Sequence, residues 1–403
     1  MQKFDPDLLF RPLRLPCGAV LRNRLAKAAM SDSLGDGRGH PTDAQMRLYE
    51  RWSDGGAGLS IIGEVQGDPA FAEKPGNLVL RPGADLQAFR HLTARARKDG
   101  AQIWTQLGQA GAMAHPPIST PKGPSALDLP GLRCRALDTK EIAALPDQFA
   151  TTAALAREVG FGGVEIHAAH GFLLSQFLSP LFNKRDDQYG GSIENRMRLL
   201  LEVIAAVRDS VGTDFPVGVK INATDRLEGG FDERDALKVI KALDETSLDL
   251  IDISGGTYFP GATSASDRAG RGPYFLEFAA RAKDCTRMPL MVTGGFKTRA
   301  EASAALAEGV ADVIGLGRPF IIDPDLPKTW ASEDGPDPVF PRFEAPPEGG
   351  VTAWYTMRLT DIGEDRETPR HDDLHAAIAA YDFRDKEREL LWNAAFRPMP
   401  AED

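Results

Sequence analysis

Two histidines, His167 and His170, stand three residues apart in a run that begins Gly163-Val164-Glu165-Ile166. Imidazole titrates close to neutral pH, and it can donate a hydrogen bond, move a proton or ligate a metal. The apolar lead-in predicts a short buried strand that delivers both rings at its carboxyl end. Taken alone, such a pair is more often structural or a stray metal ligand than catalytic. Its meaning depends on what else reaches the same place.

Four further groups of residues are candidates to reach it. Gly294-Gly295 and Gly317-Arg318 each follow a short apolar run. Glycine turns expose backbone N–H groups, and an arginine adds a bidentate cation, which is the recurring phosphate site after the last two strands of an α/β barrel. Lys220 sits near the end of another such run. It reads either as a barrel lysine paired with Glu165 or Asp252, or as a fixed cation facing a ligand. Ala28-Ala29-Met30-Ser31, Gly63 and Gln106 close three more runs, and Ser254-Gly255-Gly256 a fourth. A phosphate on one side and histidines on another imply one ligand spanning a barrel mouth.

The elements that must position these residues follow from the pattern. Short, continuously apolar runs predict strands at Arg24–Ala28, Leu59–Gly63, Gln102–Leu107, Gly163–Ile166, Val217–Ile221, Leu250–Ile253, Leu290–Val292 and Val313–Gly315. Continuous rather than alternating apolarity fits parallel strands covered on both faces. Helical patterns lie at Thr42–Gly55, Asp85–Asp99, Asp147–Val159, Ser192–Ser210, Glu233–Glu245, Tyr274–Cys285 and Arg299–Glu308, with Ser192 a plausible N-cap. Eight strands alternating with helices define an α/β fold, the (β/α)8 or TIM barrel. The expected division is a barrel over residues 1–330 and a C-terminal extension over 331–403, packing on the barrel or on a second subunit. Within the extension, Val351–Thr360 and Leu374–Phe396 look helical, and Trp354, Tyr355 and Trp392 need a surface to pack on. Gly108–Thr139, rich in Pro, Gly and Ala, reads as a lid or pocket wall on the active-site face. The run from Lys184 to Asp187, with Glu194 and Arg196, reads as an ion-pair network pinning a loop. Glu228 and Asp232 read as solvated loop charges.

The bulk numbers narrow the function classes. The 403 residues carry 47 Lys+Arg and 58 Asp+Glu, a formal charge of −11. That balance argues against nonspecific nucleic-acid binding and against docking on an anionic membrane. No run approaches the roughly 18 apolar residues of a membrane span, and the N-terminus lacks the apolar core of a signal peptide. Cys17, Cys134 and Cys285 are scattered, with no zinc or iron–sulfur spacing. A cytoplasmic enzyme with a small-molecule substrate, no metal and a possible homo-oligomeric state is the expectation.

With these motifs in place, the chain resembles the old yellow enzyme family of flavin-dependent ene-reductases, and most of all its bacterial NADH:flavin oxidoreductase branch. The resemblance rests on the string from Gly163 to Gly171, on Gln176-Phe177-Leu178-Ser179-Pro180 and on Tyr189-Gly190-Gly191-Ser192-Ile193-Glu194-Asn195-Arg196. It spans about Leu8 to Leu326 and implies non-covalent FMN, with NADH or NADPH as reductant in a ping-pong cycle. It further implies that Ala28, Ala29, Met30 and Ser31 run along the flavin, with the Ser31 hydroxyl near O4 and N5. Gly63 would lie close to the ring, Gln106 would pair with its pyrimidine edge, and Lys220 would face N1 and O2. Gly294, Gly295, Gly317 and Arg318 would hold the phosphate. His167 and His170 would hold the carbonyl oxygen of an α,β-unsaturated substrate.

One departure bears on the chemistry. Relatives place a proton-donating tyrosine two residues after the second histidine, where this chain has Phe172, which cannot donate. Tyr258 or water is then the proton source, or the reaction is not alkene reduction. The alternatives carried forward are an FMN-dependent dehydrogenase or demethylase and, from another class, a flavin-free phosphate-binding aldolase or isomerase using Lys220. The lid Gly108–Thr139 and the segment Thr257–Arg271 would set the substrate.

Overall fold

The computed structural model describes residues 6–259 and 272–397. Of the expected wall Thr257–Arg271, Thr257–Phe259 is included and the rest lies outside the described residues. Eight strands form the barrel: β1 (Leu25–Met30), β2 (Leu59–Gln66), β3 (Gln102–Leu107), β4 (Gly163–Ala168), β5 (Val217–Asn222), β6 (Leu250–Ser254), β7 (Leu290–Thr293) and β8 (Val313–Leu316). Each pairs in parallel with its neighbours, and β8 pairs with β1 to close the ring. The predicted (β/α)8 barrel is therefore what the chain forms. The strands run one to three residues beyond most of the predicted ends. A short strand, Leu78–Val79, adds to the end of β2.

Two apolar layers hold the barrel. Inside it, Ala26, Leu59, Ile61, Trp104, Leu250, Met291 and Val313 form one cluster, closed below by Leu15 and Leu21 around the N-terminal hairpin. Trp104 is fully buried there. It demands small neighbours: a Cβ on Gly163 would lie 2.6 Å from its ring, and one on Gly218 3.2 Å from it. Outside the barrel, a larger cluster packs the strands against the helices. Lys27 on β1 faces that outer layer. Its ammonium lies 4.5 Å from the Trp52 ring centroid.

The helices are α1 (Asp43–Asp54), α2 (Leu86–Ala96), α3 (Thr139–Glu158), α4 (Arg198–Val211), α5 (Glu233–Leu243), α6 (Leu276–Lys283), α7 (Arg299–Ala307) and the short α8 (Arg318–Ile322). Two expectations are corrected. Helix α3 starts eight residues before the predicted Asp147, because Asp138 and Glu141 form a reciprocal capping box. Pro146 lies inside it, and an internal proline reads from sequence as a boundary. The helix expected from Ser192 is broken at Met197 into Ile193–Arg196 and α4, although Ser192 does cap the first piece by accepting from the Asn195 N–H. Asp232 is exposed, as expected, and in addition serves as the N-cap of α5, accepting from the Asp235 N–H.

Beyond the barrel lie α9 (Gly350–Gly363) and α10 (Leu374–Phe396). Both pack back on the barrel of the same chain. The Arg47 guanidinium of α1 donates to the Gly363 carbonyl at 2.7 Å. Trp354 lies edge-on to Tyr355, with ring centroids 4.9 Å apart. Trp392 is buried against Ala72, Val79 and Ile118. Gly108–Thr139 is more structured than a lid: Lys122–Gly123, Leu127–Leu129 and Leu132–Ala136 form a three-stranded sheet. In the predicted ion-pair network Arg185 binds Asp187, but the partner of Arg196 is Asp235 at 2.6 Å, not Glu194.

Candidate active site

The carboxyl ends of the strands surround a cavity of about 530 Å³. Of the predicted residues, Ala29, Met30, His170, Lys220 and Tyr258 line one part of it, and Gly294, Gly295, Gly317 and Arg318 line another. One concave site thus gathers the histidine, lysine and glycine motifs. Ala28, Ser31, Gly63, Gln106, His167 and Phe172 do not line it. Three of these have visible structural duties. A Cβ on Gly63 would lie 2.3 Å from the Met30 carbonyl oxygen, so this glycine admits the β1 backbone. Gln106 donates to Glu165 at 2.7 Å. Phe172 packs on the His167 ring at 4.7 Å between centroids.

The histidine pair is held from the backbone. The Ala169 N–H donates to His167 Nδ1 at 3.2 Å, which leaves the proton of the neutral ring on Nε2. His170 adopts a left-handed backbone, φ 61°, one of few non-glycine residues to do so. Its N–H donates to Asn222 Oδ1 at 3.0 Å, and its Nε2 meets Ser254 Oγ at 2.9 Å. The two rings are 5.3 Å apart and nearly perpendicular. Burial, then the neighbouring His170 ring and the Lys220 ammonium, push His167 well below the usual imidazole range. Burial and Lys220 push His170 down to about 3. Both rings are thereby held neutral at physiological pH, each with one N–H to donate.

The floor beside them is charged. Lys220 Nζ binds Asp252 Oδ2 at 2.5 Å, and Thr293 donates to Asp252 Oδ1 at 2.6 Å. Glu165 lies on the neighbouring strand β4. Lys220 is paired with Asp252 within the barrel, as the first reading expected, and it also lines the cavity. Burial works against the Lys220 ammonium, but Asp252 and Glu165 outweigh it and raise its pKa.

At the other side, the backbone curls at Gly294, φ 125°, and Gly295, φ 87°. A Cβ on Gly295 would lie 2.4 Å from the Gly272 carbonyl oxygen. No side chain therefore stands between this backbone and the cavity. Arg318 opens α8, with its guanidinium 4.8 Å from the Tyr355 ring centroid. A bare backbone turn beside an arginine suits a phosphate, and a buried lysine suits an electron-rich ring edge. The donor set fits FMN.

Ser254, placed by the sequence only at a strand end, and Asn222, given no role there, orient His170. Phe343 and Tyr355 wall the phosphate side from beyond the barrel. Among the described residues no group of three His, Cys, Asp or Glu side chains is placed to hold a metal. Nor is any helix among them long and apolar enough to cross a membrane.

A closed barrel with a glycine–arginine cradle, a buried lysine and paired neutral imidazoles at its mouth defines a flavin-binding oxidoreductase barrel. The chain belongs to the NADH:flavin oxidoreductase / NADH oxidase family, whose sequence model matches residues 8–334. Non-covalent FMN is the cofactor of that family, with NADH or NADPH as reductant. The chain is 33% identical over 353 residues to the NADH-dependent flavin oxidoreductase iliE of Hypocrea jecorina, covering 79% of this chain and 87% of that protein. It is 31% identical to an N,N-dimethylglycine/sarcosine dehydrogenase of Chromohalobacter salexigens, covering 79% of this chain and 48% of that protein. Among solved structures it resembles the old yellow enzyme homologue from Zymomonas mobilis, with a TM-score of 0.71 at 28% identity, over 82% of this chain and 93% of that one. The chain spans about half the length of some curated relatives, 49% of a Neonectria iliE among them.

Proposed function

We propose that the protein reduces the activated C=C bond of α,β-unsaturated carbonyl compounds with electrons from NADH or NADPH. Bound FMN supplies the hydride exchange, accepting from the nicotinamide and passing to the substrate β-carbon. The residues do the rest. His167 and His170 donate hydrogen bonds to the carbonyl oxygen, and those bonds strengthen as negative charge builds there. Because the rings are already neutral, substrate binding strips no proton from them. Ser254 and Asn222 fix the His170 ring and backbone. Lys220 would give the cofactor's N1–O2 edge a fixed positive neighbour, with Ala29 and Met30 lining the cavity beside it. Gly294, Gly295, Gly317 and Arg318 hold the phosphate. The proton for the α-carbon comes from Tyr258, which is 56% exposed at the cavity wall, or from water. The observation that carries this reading is the neutral histidine pair beside a cavity that also holds Lys220 and the glycine cradle.

The test is a two-stage anaerobic titration of the FMN-loaded protein. NADH or NADPH should bleach the flavin absorption, and cyclohexenone should then restore it. Bleaching without restoration by any enone would sink the proposal.

A second reading runs the site oxidatively, on an amine. Phe172 favours it, since hydride removal needs no proton donor above an α-carbon. The similarity to a dehydrogenase of methylated amines supports it too. Bleaching by a secondary or tertiary amine, with no response to enones, would select it. The flavin-free aldolase or isomerase loses its key residue: a Schiff-base lysine needs a lowered pKa, and Asp252 and Glu165 hold Lys220 above its ordinary value.

A further inference from the structure

Three charged side chains lie inside the barrel, on adjacent strands: Glu165 on β4, Lys220 on β5 and Asp252 on β6. Each is at most 1% exposed. Lys220 stands directly opposite Asp252 in the β5–β6 register. Two carboxylates against one ammonium would leave a net negative charge sealed from water, a state proteins avoid by keeping a proton. The hydrogen bonds show where that proton sits. Glu165 Oε1 accepts from Gln106, while Glu165 Oε2 is buried and has no donor. An ionised oxygen would need a donor there, whereas a protonated one needs only an acceptor, and the buried Asp252 carboxylate is close enough to raise the proton affinity of Glu165. Asp252 is served on both oxygens, by Lys220 and by Thr293.

We propose that Glu165 and Asp252 share one proton while the cofactor is oxidised and bind a second from solvent when it is reduced, so that the barrel floor is a redox-linked proton site. This rests on the assignment of Lys220 to the cofactor. A hydride brings two electrons and one proton, so its arrival adds one negative charge beside Lys220. That ammonium is already committed to Asp252, and a single cation cannot neutralise both anions. One proton from water onto Asp252 releases Lys220 toward the cofactor and leaves the net charge of the site unchanged. Thr293 lines the cavity and hydrogen-bonds Asp252, which gives the proton a way in.

The surroundings leave the pair as the acceptor. Gln106 from β3 and Thr293 from β7 are uncharged. His167 and His170 at the end of β4 are held neutral by burial and by Lys220 itself. Lys27 on β1, pushed down to about 7 by burial and to a lesser degree by Lys220, lies over the Trp52 ring in the outer layer and does not line the cavity. Burial lifts Glu165 to about 8 and raises Asp252 as well, against the pull of Lys220.

The test is the midpoint potential of the FMN-loaded protein as a function of pH, for the wild type and for the double variant Glu165→Gln, Asp252→Asn. Each proton taken up per two electrons lowers the potential by 29.6 mV per pH unit. The wild type should show twice that slope near neutral pH, and the double variant the single slope. The absorption of the reduced cofactor should be alike in both, which assigns the extra proton to protein rather than to flavin N1. Should the variant fail to fold, infrared difference spectra of the wild type decide: reduction should create a protonated-carboxyl band that shifts in D2O. Equal slopes, or no such band, would overturn this inference alone. A protein that binds no flavin would overturn the cofactor assignment beneath it as well.

Discussion

Phe172 is 2% exposed, packs against the His167 ring and lies 6.2 Å from the Tyr258 ring, centroid to centroid. Replacing it with tyrosine adds one oxygen at the edge of the His167, His170 and Tyr258 ring cluster. If the substrate is an enone, Phe172→Tyr should raise the rate of the second half-reaction by about tenfold or more, since a positioned general acid contributes up to about 10²–10⁴. Stopped-flow should find the rate of flavin reduction by NADH unchanged. A loss in both halves would mean that the ring is needed as packing. The histidines carry a pH signature of their own. In the unfolded chain they take up protons below about 6.5, whereas in the folded protein they resist them, His170 down to about 3. The stability that neutral imidazoles contribute is thus complete above pH 6.5 and is lost as pH falls, at up to about 1.4 kcal/mol per unit for each ring. Glu165, whose pKa is raised, works in the opposite sense, so the informative quantity is a difference. The gap in urea midpoint between the wild type and the variant His167→Gln, His170→Gln should shift against the wild type between pH 7.5 and 5.

The strands were readable because each is a continuous apolar run, and a charge inside such a run is conspicuous. Glu165 and Asp252 were visible in that sense, but the sequence left open whether Lys220 paired with them or faced a ligand. Register shows the pairing: the parallel ladder puts Lys220 across from Asp252, at a strand end that opens on the cavity. What stayed illegible depends on contacts between elements. Pro146 concealed the true start of α3, and no local pattern announces the small sheet within Gly108–Thr139. The need for Gly163 was equally hidden, since it is set by Trp104 on the neighbouring strand. A methyl group there lies too close to the indole for either to relax freely in a packed barrel. Gly163→Ala should destabilise the protein by about 1–3 kcal/mol. Chemical denaturation would measure this, and the partner change Trp104→Phe should recover part of it.

At the scale of the molecule, the barrel and its extension share one cavity. Lys220 and His170 come from barrel strands, but Phe340, Phe343 and Tyr355 come from the chain that follows. That chain is anchored further on, where α9 meets α1 and where Trp392 of α10 is buried against the loop after β2. Sequence alone left open whether this tail would pack at home; the tryptophans announced a need for burial but not its location.

The shared wall makes cofactor occupancy and the state of the tail a single equilibrium. Between α8 and α9 the chain crosses the surface through an extended, mostly exposed segment, 333–339, just before Phe340 turns inward. A ligand that binds only the closed arrangement suppresses opening by mass action, by about 2.7 kcal/mol at a hundred times its dissociation constant. A protease that cuts this segment would therefore act as a gauge of flavin loading: cleavage should slow as FMN is titrated in, and the nicked protein should release its flavin faster than the intact chain.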